Sequence, residues 1–168
     1  MKRVCKLTIG TLGLLFLGVV LAAGDAFAQT AKDLAGTWTL VSTVTEQGGN
    51  KTDAYGPNPR GILTVDANGR YVLVIARADL PKVASNNRTT ATPEENKAIV
   101  QGSVTHFGTV FVNAADKTIT FKIETATFPN WDGTEQKKAF TLTGDELKFT
   151  NTAASGGGTA TVVWKRAK

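Results

Sequence analysis

His106 is the only histidine in the 168-residue sequence, and a lone imidazole bounds the chemistry available. Its ordinary pKa lies near neutral, so it reads either as a tunable base or hydrogen-bonding group, or as a partly exposed strand residue with neither role. A three-histidine zinc centre is excluded, no carboxylate pair stands at ligand spacing from His106, and no metal is expected. Nucleophilic catalysis needs a nucleophile, its base and an orienting third group, and no such constellation assembles. The chain has no G-x-S-x-G elbow, and the run from Ser155 to Thr159 lacks the lysine of a phosphate-binding loop, so it reads as a hairpin loop. No catalytic residue and no cofactor follow from these motifs, and binding is preferred over catalysis.

The residues suited to holding a small molecule are Tyr55, Asn58, Arg60, Tyr71, Arg77, His106, Asn130, Trp131 and Lys138. In "YGPNPRG", Tyr55 to Gly61, two prolines fix their own φ and push Gly56 and Asn58 toward extended backbone, which makes a stiff approach to the next strand. Tyr55 and Pro57 there either close a barrel end or line its mouth, and Arg60 makes either a surface ion pair or a ligand contact. In "FPNWDG", Phe128 to Gly133, Trp131 stands at a hairpin tip with no core position to occupy by register. It either folds back as a lid over a lumen, the favoured reading, or projects to meet a ligand or another protein. Arg77 follows Tyr71, Leu73 and Ile75 at steps of two, and Lys138 precedes Phe140 and Leu142 likewise, so both are predicted to enter the lumen near its mouth. Unpaired arginines there would suit an acidic group on the ligand.

The elements that must position these residues are strands. From Thr37 onward the dominant period is two, over Thr37 to Glu46, Gly61 to Asp66, Arg70 to Arg77, Val104 to Asn113, Thr118 to Thr127, Thr134 to Thr143, Glu146 to Asn151 and Thr159 to Arg166. Short turns such as Asp66-Ala67-Asn68-Gly69 make neighbours hairpin partners. A meander of eight strands can close into an antiparallel up-and-down barrel wide enough for one small ligand, and closure removes the exposed sheet edges. One segment breaks the period: Thr92 can cap a short helix with Pro93 in its first turn and Glu95 completing a capping box, between the third and fourth predicted strands. The polar stretch over residues 80–92 before it reads as a mobile flap.

The first 28 residues are predicted to be a signal peptide. Lys2, Arg3 and Lys6 precede an apolar run from Leu7 to Ala23, and Ala26-Phe27-Ala28 is a small-x-small cleavage signal. Cleavage near Ala28 would leave residues 29–168 as one domain, periplasmic or secreted, with no stable membrane anchor. Cys5, the sole cysteine, would leave with the leader, so no disulfide or thiol chemistry remains. The full chain carries 19 basic and 14 acidic residues; without Lys2, Arg3, Lys6 and Asp25 these fall to 16 and 13. The short pairs Lys137-Lys138 and Lys165-Arg166 do not make the clustered basic face that a nucleic acid requires, and no nucleic-acid partner is expected.

"GTW" at Gly36 to Trp38, opening the first strand, resembles the signature of lipocalins and related calycin barrels. "YGPNPRG", "ATPEE" (Ala91 to Glu95), "FPNWDGTEQ" (Phe128 to Gln136), "GDELKFT" (Gly144 to Thr150) and "VVWKR" (Val162 to Arg166) narrow the likeness to a bacterial lipocalin-like domain family, over nearly all of the chain after the leader. The resemblance implies an all-β, eight-stranded lipocalin-like barrel in which Trp38 plugs the closed end and Arg166 covers it, and it leaves the activity open. Better-known lipocalins carry a helix after the eighth strand, so their ligands are not carried over. The expectation is an exported protein binding a small hydrophobic or amphipathic, largely apolar molecule in the lumen, with an acidic group suited to Arg60 and Arg77. Two alternatives stand beside it: a barrel isomerase or cyclase using His106 and Tyr71 with an arginine, and a protein-interaction module of the cell envelope.

Overall fold

Antiparallel hairpins follow one another in chain order until the last strand meets the first. The structure is a computed structural model that describes residues 32–168, so the predicted leader lies outside the described residues. Its strands are β1 (Gly36–Gln47), β2 (Asn50–Asp53), β3 (Arg60–Val65), β4 (Arg70–Ala76), β5 (Ser103–Asn113), β6 (Thr118–Ala126), β7 (Glu135–Thr143), β8 (Glu146–Asn151) and β9 (Thr159–Arg166). The order is β2-β1-β3-β4-β5-β6-β7-β8-β9, and a β1–β9 pairing closes the sheet. Eight strands make the wall, because β2 pairs only with the far end of β1.

The single helix of regular length among the described residues, α1 (Pro93–Gly102), begins as the sequence indicates. Thr92 caps it, Pro93 starts it, and Thr92 and Glu95 form a reciprocal capping box. It lies between β4 and β5, not between the third and fourth strands. The difference is β2: Gly48-Gly49 turn the chain back so that Asn50–Asp53 pairs with Val44–Gln47. All four residues of β2 are exposed, so no apolar alternation announces it. The preceding loop is tied to α1, since the Glu95 carboxylate also accepts from the Ala84 amide at 2.8 Å.

Alternation places Trp38, Leu63, Tyr71, Leu73, Ile75, Phe121, Ile123, Leu147, Phe149 and Trp164 in the interior. Two β-bulges change which residues follow. In β1, Leu40 pairs with Trp164 and Ser42 with Val163, leaving Val41 as the extra, exposed residue. The inward register therefore moves from Trp38 and Leu40 to Thr43 and Thr45. In β6, Phe107 pairs with Thr125 and Gly108 with Ile123, leaving Glu124 outside, where it pairs with Arg70. Gly108 sits at that bulge because any Cβ would collide with the Lys122 carbonyl.

One end of the barrel is shut. Leu34, Trp38 and Trp164 are wholly buried there, and the Trp38 indole N–H donates to the Leu34 carbonyl at 2.9 Å. The Arg166 guanidinium lies 4.1 Å from the Trp38 ring centroid and donates to the Ala35 and Asp33 carbonyls at 2.9 and 2.7 Å.

Candidate functional site

The other half of the barrel is hollow. A cavity of about 220 Å³ runs from Phe149, Leu73 and Ile75 up to the Gly156-Gly157 loop, with Tyr55 and Trp131 also in its wall. The wall is mixed by design of the strand registers. β1 contributes Thr43 and Thr45 after its bulge, β5 contributes Val104 and His106, and β7 contributes Gln136 and Lys138 at a step of two. Among the described residues, no aspartate or glutamate lines the cavity.

Lys138 is the unusual member. Its residue exposure is 8%, its ammonium lies 4.8 Å from the Phe121 ring centroid and 5.1 Å from that of Phe149, and among the described residues it has no carboxylate partner. Burial disfavours the charged form and lowers its pKa to about 8. The two aromatic faces offset part of that desolvation, so at neutral pH the group is still mostly an ammonium. In the same cavity the Thr43 hydroxyl and the Gln136 side-chain carbonyl are buried without a hydrogen-bond partner among the described residues. Most buried polar atoms in proteins are partnered, and this one cavity holds a cation, a hydroxyl and an amide oxygen that are not.

His106 also lines the cavity, with Tyr71 behind it. The Tyr71 hydroxyl and His106 Nδ1 share a hydrogen bond of 2.8 Å, and the Tyr71 ring meets Phe121 edge to face at 4.9 Å between centroids. Only 3% of His106 is exposed; burial first, then the charge of Lys138, push its pKa down to about 3. The imidazole is therefore neutral throughout the physiological range, which removes the near-neutral titration expected of it. Burial also raises the pKa values of Tyr71 and Tyr55, so both phenols stay protonated.

Of the residues expected to bind ligand, Tyr55, His106, Trp131 and Lys138 line the cavity, and Tyr71 stands behind His106. Trp131 ends a 3₁₀ turn, Pro129–Trp131, in which its amide donates to the Phe128 carbonyl, and its ring stands perpendicular to that of His106 at 5.7 Å. Asn58, Arg60, Arg77 and Asn130 are not in the cavity wall. Asn58 and Asn130 are exposed, Asn58 in a left-handed turn with φ of 55°, and Arg60 is exposed at the start of β3. Arg77 instead forms a bidentate pair with Asp79, at 2.9 and 3.0 Å, on the flank beside α1. Position explains it: Arg77 follows the last residue of β4, where its amide donates to the Gly102 carbonyl and the inward register has ended.

Thr43, Thr45, Gln136 and Asn151 line the cavity without having been singled out by sequence. Gln136 was within reach, since it shares the register of Lys138. Thr43 was not, because regular alternation from Trp38 points Ser42 inward and only the bulge at Val41 brings Thr43 around.

No curated protein shows significant sequence similarity to the chain. Among solved structures, the crystal structure of a mutant of the fluorescent protein UnaG aligns over 81% of this chain and 97% of that one, at 12% identity and a TM-score of 0.37. The profile of the lipocalin-like domain matches residues 35–167, which is the whole barrel from the residue before β1 to the residue after β9. The chain belongs to the lipocalin-like domain family.

Proposed function

We propose that this barrel binds a small, largely apolar molecule whose acidic group lies against Lys138. The observation that carries the reading is a buried ammonium in a cavity that contains no carboxylate. A carboxylate entering there meets a charge already desolvated, so the interaction is stronger than at a surface. Thr43 and Tyr55 supply further hydroxyl donors at the same cavity. Size narrows the class: an apolar cavity of about 150 Å³ holds benzene, and drug-sized ligands occupy about 300–1,000 Å³. A cavity of about 220 Å³ therefore suits a single ring or a short acyl chain bearing one acid group. The leader-like pattern of residues 1–28 supports binding in the periplasm or outside the cell, after cleavage near Ala28.

Titration calorimetry with benzoate and benzyl alcohol tests this. Benzoate should bind at least about tenfold more tightly, since a hydrogen bond to a charged group contributes about 1.5–3 kcal/mol. The preference should fade as pH rises above about 8, where the free Lys138 loses its proton. Equal affinity for the two compounds at neutral pH would reject the acidic-ligand reading. A neutral His106, its pKa lowered to about 3 by burial, is a weak base, which favours the binding reading over the isomerase or cyclase alternative.

A further inference from the structure

Lys138 has a second chemistry that a charge-pairing role leaves unused. A buried primary amine is the usual setting of a nucleophilic lysine, because desolvation favours the free amine that attacks carbonyl carbon. We propose that Lys138 forms a reversible imine with small aldehydes that enter the lumen, so that the barrel captures reactive carbonyl compounds covalently. The Lys138 nitrogen lone pair adds to the aldehyde carbon, and one N–H proton passes to the oxygen to give a carbinolamine. That hydroxyl then leaves with a proton as water, and a C=N bond remains. No oxidant, reductant or cofactor is consumed.

The geometry around the amine supports each stage. Phe121 on β6 and Phe149 on β8 flank it, while the charged neighbours on those strands, Lys122 and Lys148, are exposed on the outside. From β5 it faces His106, with Tyr71 of β4 behind, and Tyr55 lines the same cavity; all three are neutral near pH 7. No carboxylate in the cavity wall holds the amine in its charged form. The Thr43 hydroxyl, buried without a partner, is available to the carbonyl oxygen as it gathers charge. With a pKa of about 8 against about 10.4 for an exposed lysine, Lys138 carries roughly a hundredfold more free amine at neutral pH.

Reductive trapping decides the matter. The purified protein is treated with benzaldehyde and cyanoborohydride, and adducts are located by peptide mapping. One benzyl group should appear on Lys138 at least about tenfold faster than on any other lysine, and the rate should rise between pH 7 and pH 9. Labelling spread over the exposed lysines at equal or greater rates would overturn the proposal. Lys138→Arg and Lys138→Met both lack the amine, so both variants should lose lumenal trapping while the exposed lysines react as before. The inference draws on the same side chain as the acidic-ligand reading, yet the two fail separately. Benzoate binding without selective trapping sinks only the imine, and selective trapping without a preference for benzoate over benzyl alcohol sinks only the acidic ligand.

Discussion

Two cations are stacked on aromatic rings of this barrel, one covering its closed end and one within its hollow half, and they differ in what else they touch. Arg166 at the closed end covers Trp38 at 4.1 Å, donates to two backbone carbonyls and stands 3.8 Å from the Asp145 carboxylate. Lys138 in the hollow half rests on Phe121 and Phe149, with no carboxylate and no carbonyl acceptor among the described residues. At the closed end the cation and the Trp38 indole are answered by the chain itself, and the Trp164 indole N–H is buried there without a partner among the described residues; at the other end a cation, a hydroxyl and an amide oxygen share one cavity unanswered. The first arrangement holds a fold together, and the second carries a cost in stability that the proposed acidic ligand would offset.

The widest test of that contrast is acid. His106 belongs to the hollow half, and its folded pKa of about 3 lies below the ordinary value of 6.5. Between those values the unfolded chain binds a proton that the folded chain refuses, so this contribution is complete above about pH 6.5 and is lost as pH falls toward 3. Integrated, it amounts to roughly 3–5 kcal/mol. Urea midpoints of wild type and His106→Gln should converge as pH falls through that window; parallel curves would show that the imidazole is not held neutral by burial.

The same substitution in the two cations sharpens the comparison. Arg166→Met strips the donors from the Ala35 and Asp33 carbonyls and should destabilise the barrel by roughly 2–3 kcal/mol. Lys138→Met removes an unpaired buried charge and should stabilise it by about 1–3 kcal/mol at pH 7 while abolishing preference for carboxylate ligands. Wild type should regain part of that deficit between about pH 8 and 10.5, where the unfolded chain still binds the proton that folded Lys138 has released. Denaturation midpoints with the same sign for both variants would erase the distinction between the two ends.

The closed end was the more legible of the two in sequence, and the reason is register. Trp38 and Arg166 stand in unbroken alternation and pair directly across β1 and β9, so a short sequence signature and a period of two suffice to place them. The capping box at Thr92 and Glu95 is equally local. The hollow half depends on interruptions: the bulge at Val41 turns Thr43 inward, β2 has no apolar face to betray it, and the 3₁₀ turn at Pro129–Trp131 folds the indole back beside His106. Arg77 shows the opposite failure. Steps of two carry it toward the lumen on paper, but β4 ends one residue earlier and Asp79 is near enough to take its guanidinium. Pattern finds residues that obey the sheet and misses those that a local break re-aims.

The finest probe is therefore the residue that pattern missed. Thr43 is 4% exposed, and its hydroxyl has no hydrogen-bond partner, so its burial adds nothing to the stability of the empty barrel. Thr43→Val keeps the branched shape and removes the unanswered polar atom, and should raise stability by about 1 kcal/mol, against the loss usual for a core threonine. If the hydroxyl is there for a ligand oxygen, benzoate affinity should fall by a few fold in the same variant, a smaller loss than for Lys138→Met because a neutral hydrogen bond contributes about 0.5–1.5 kcal/mol. Opposite signs for stability and affinity at a single hydroxyl would place Thr43 with Lys138 on the open side of the comparison. A stability loss with affinity unchanged would move it to the structural side, alongside Trp38.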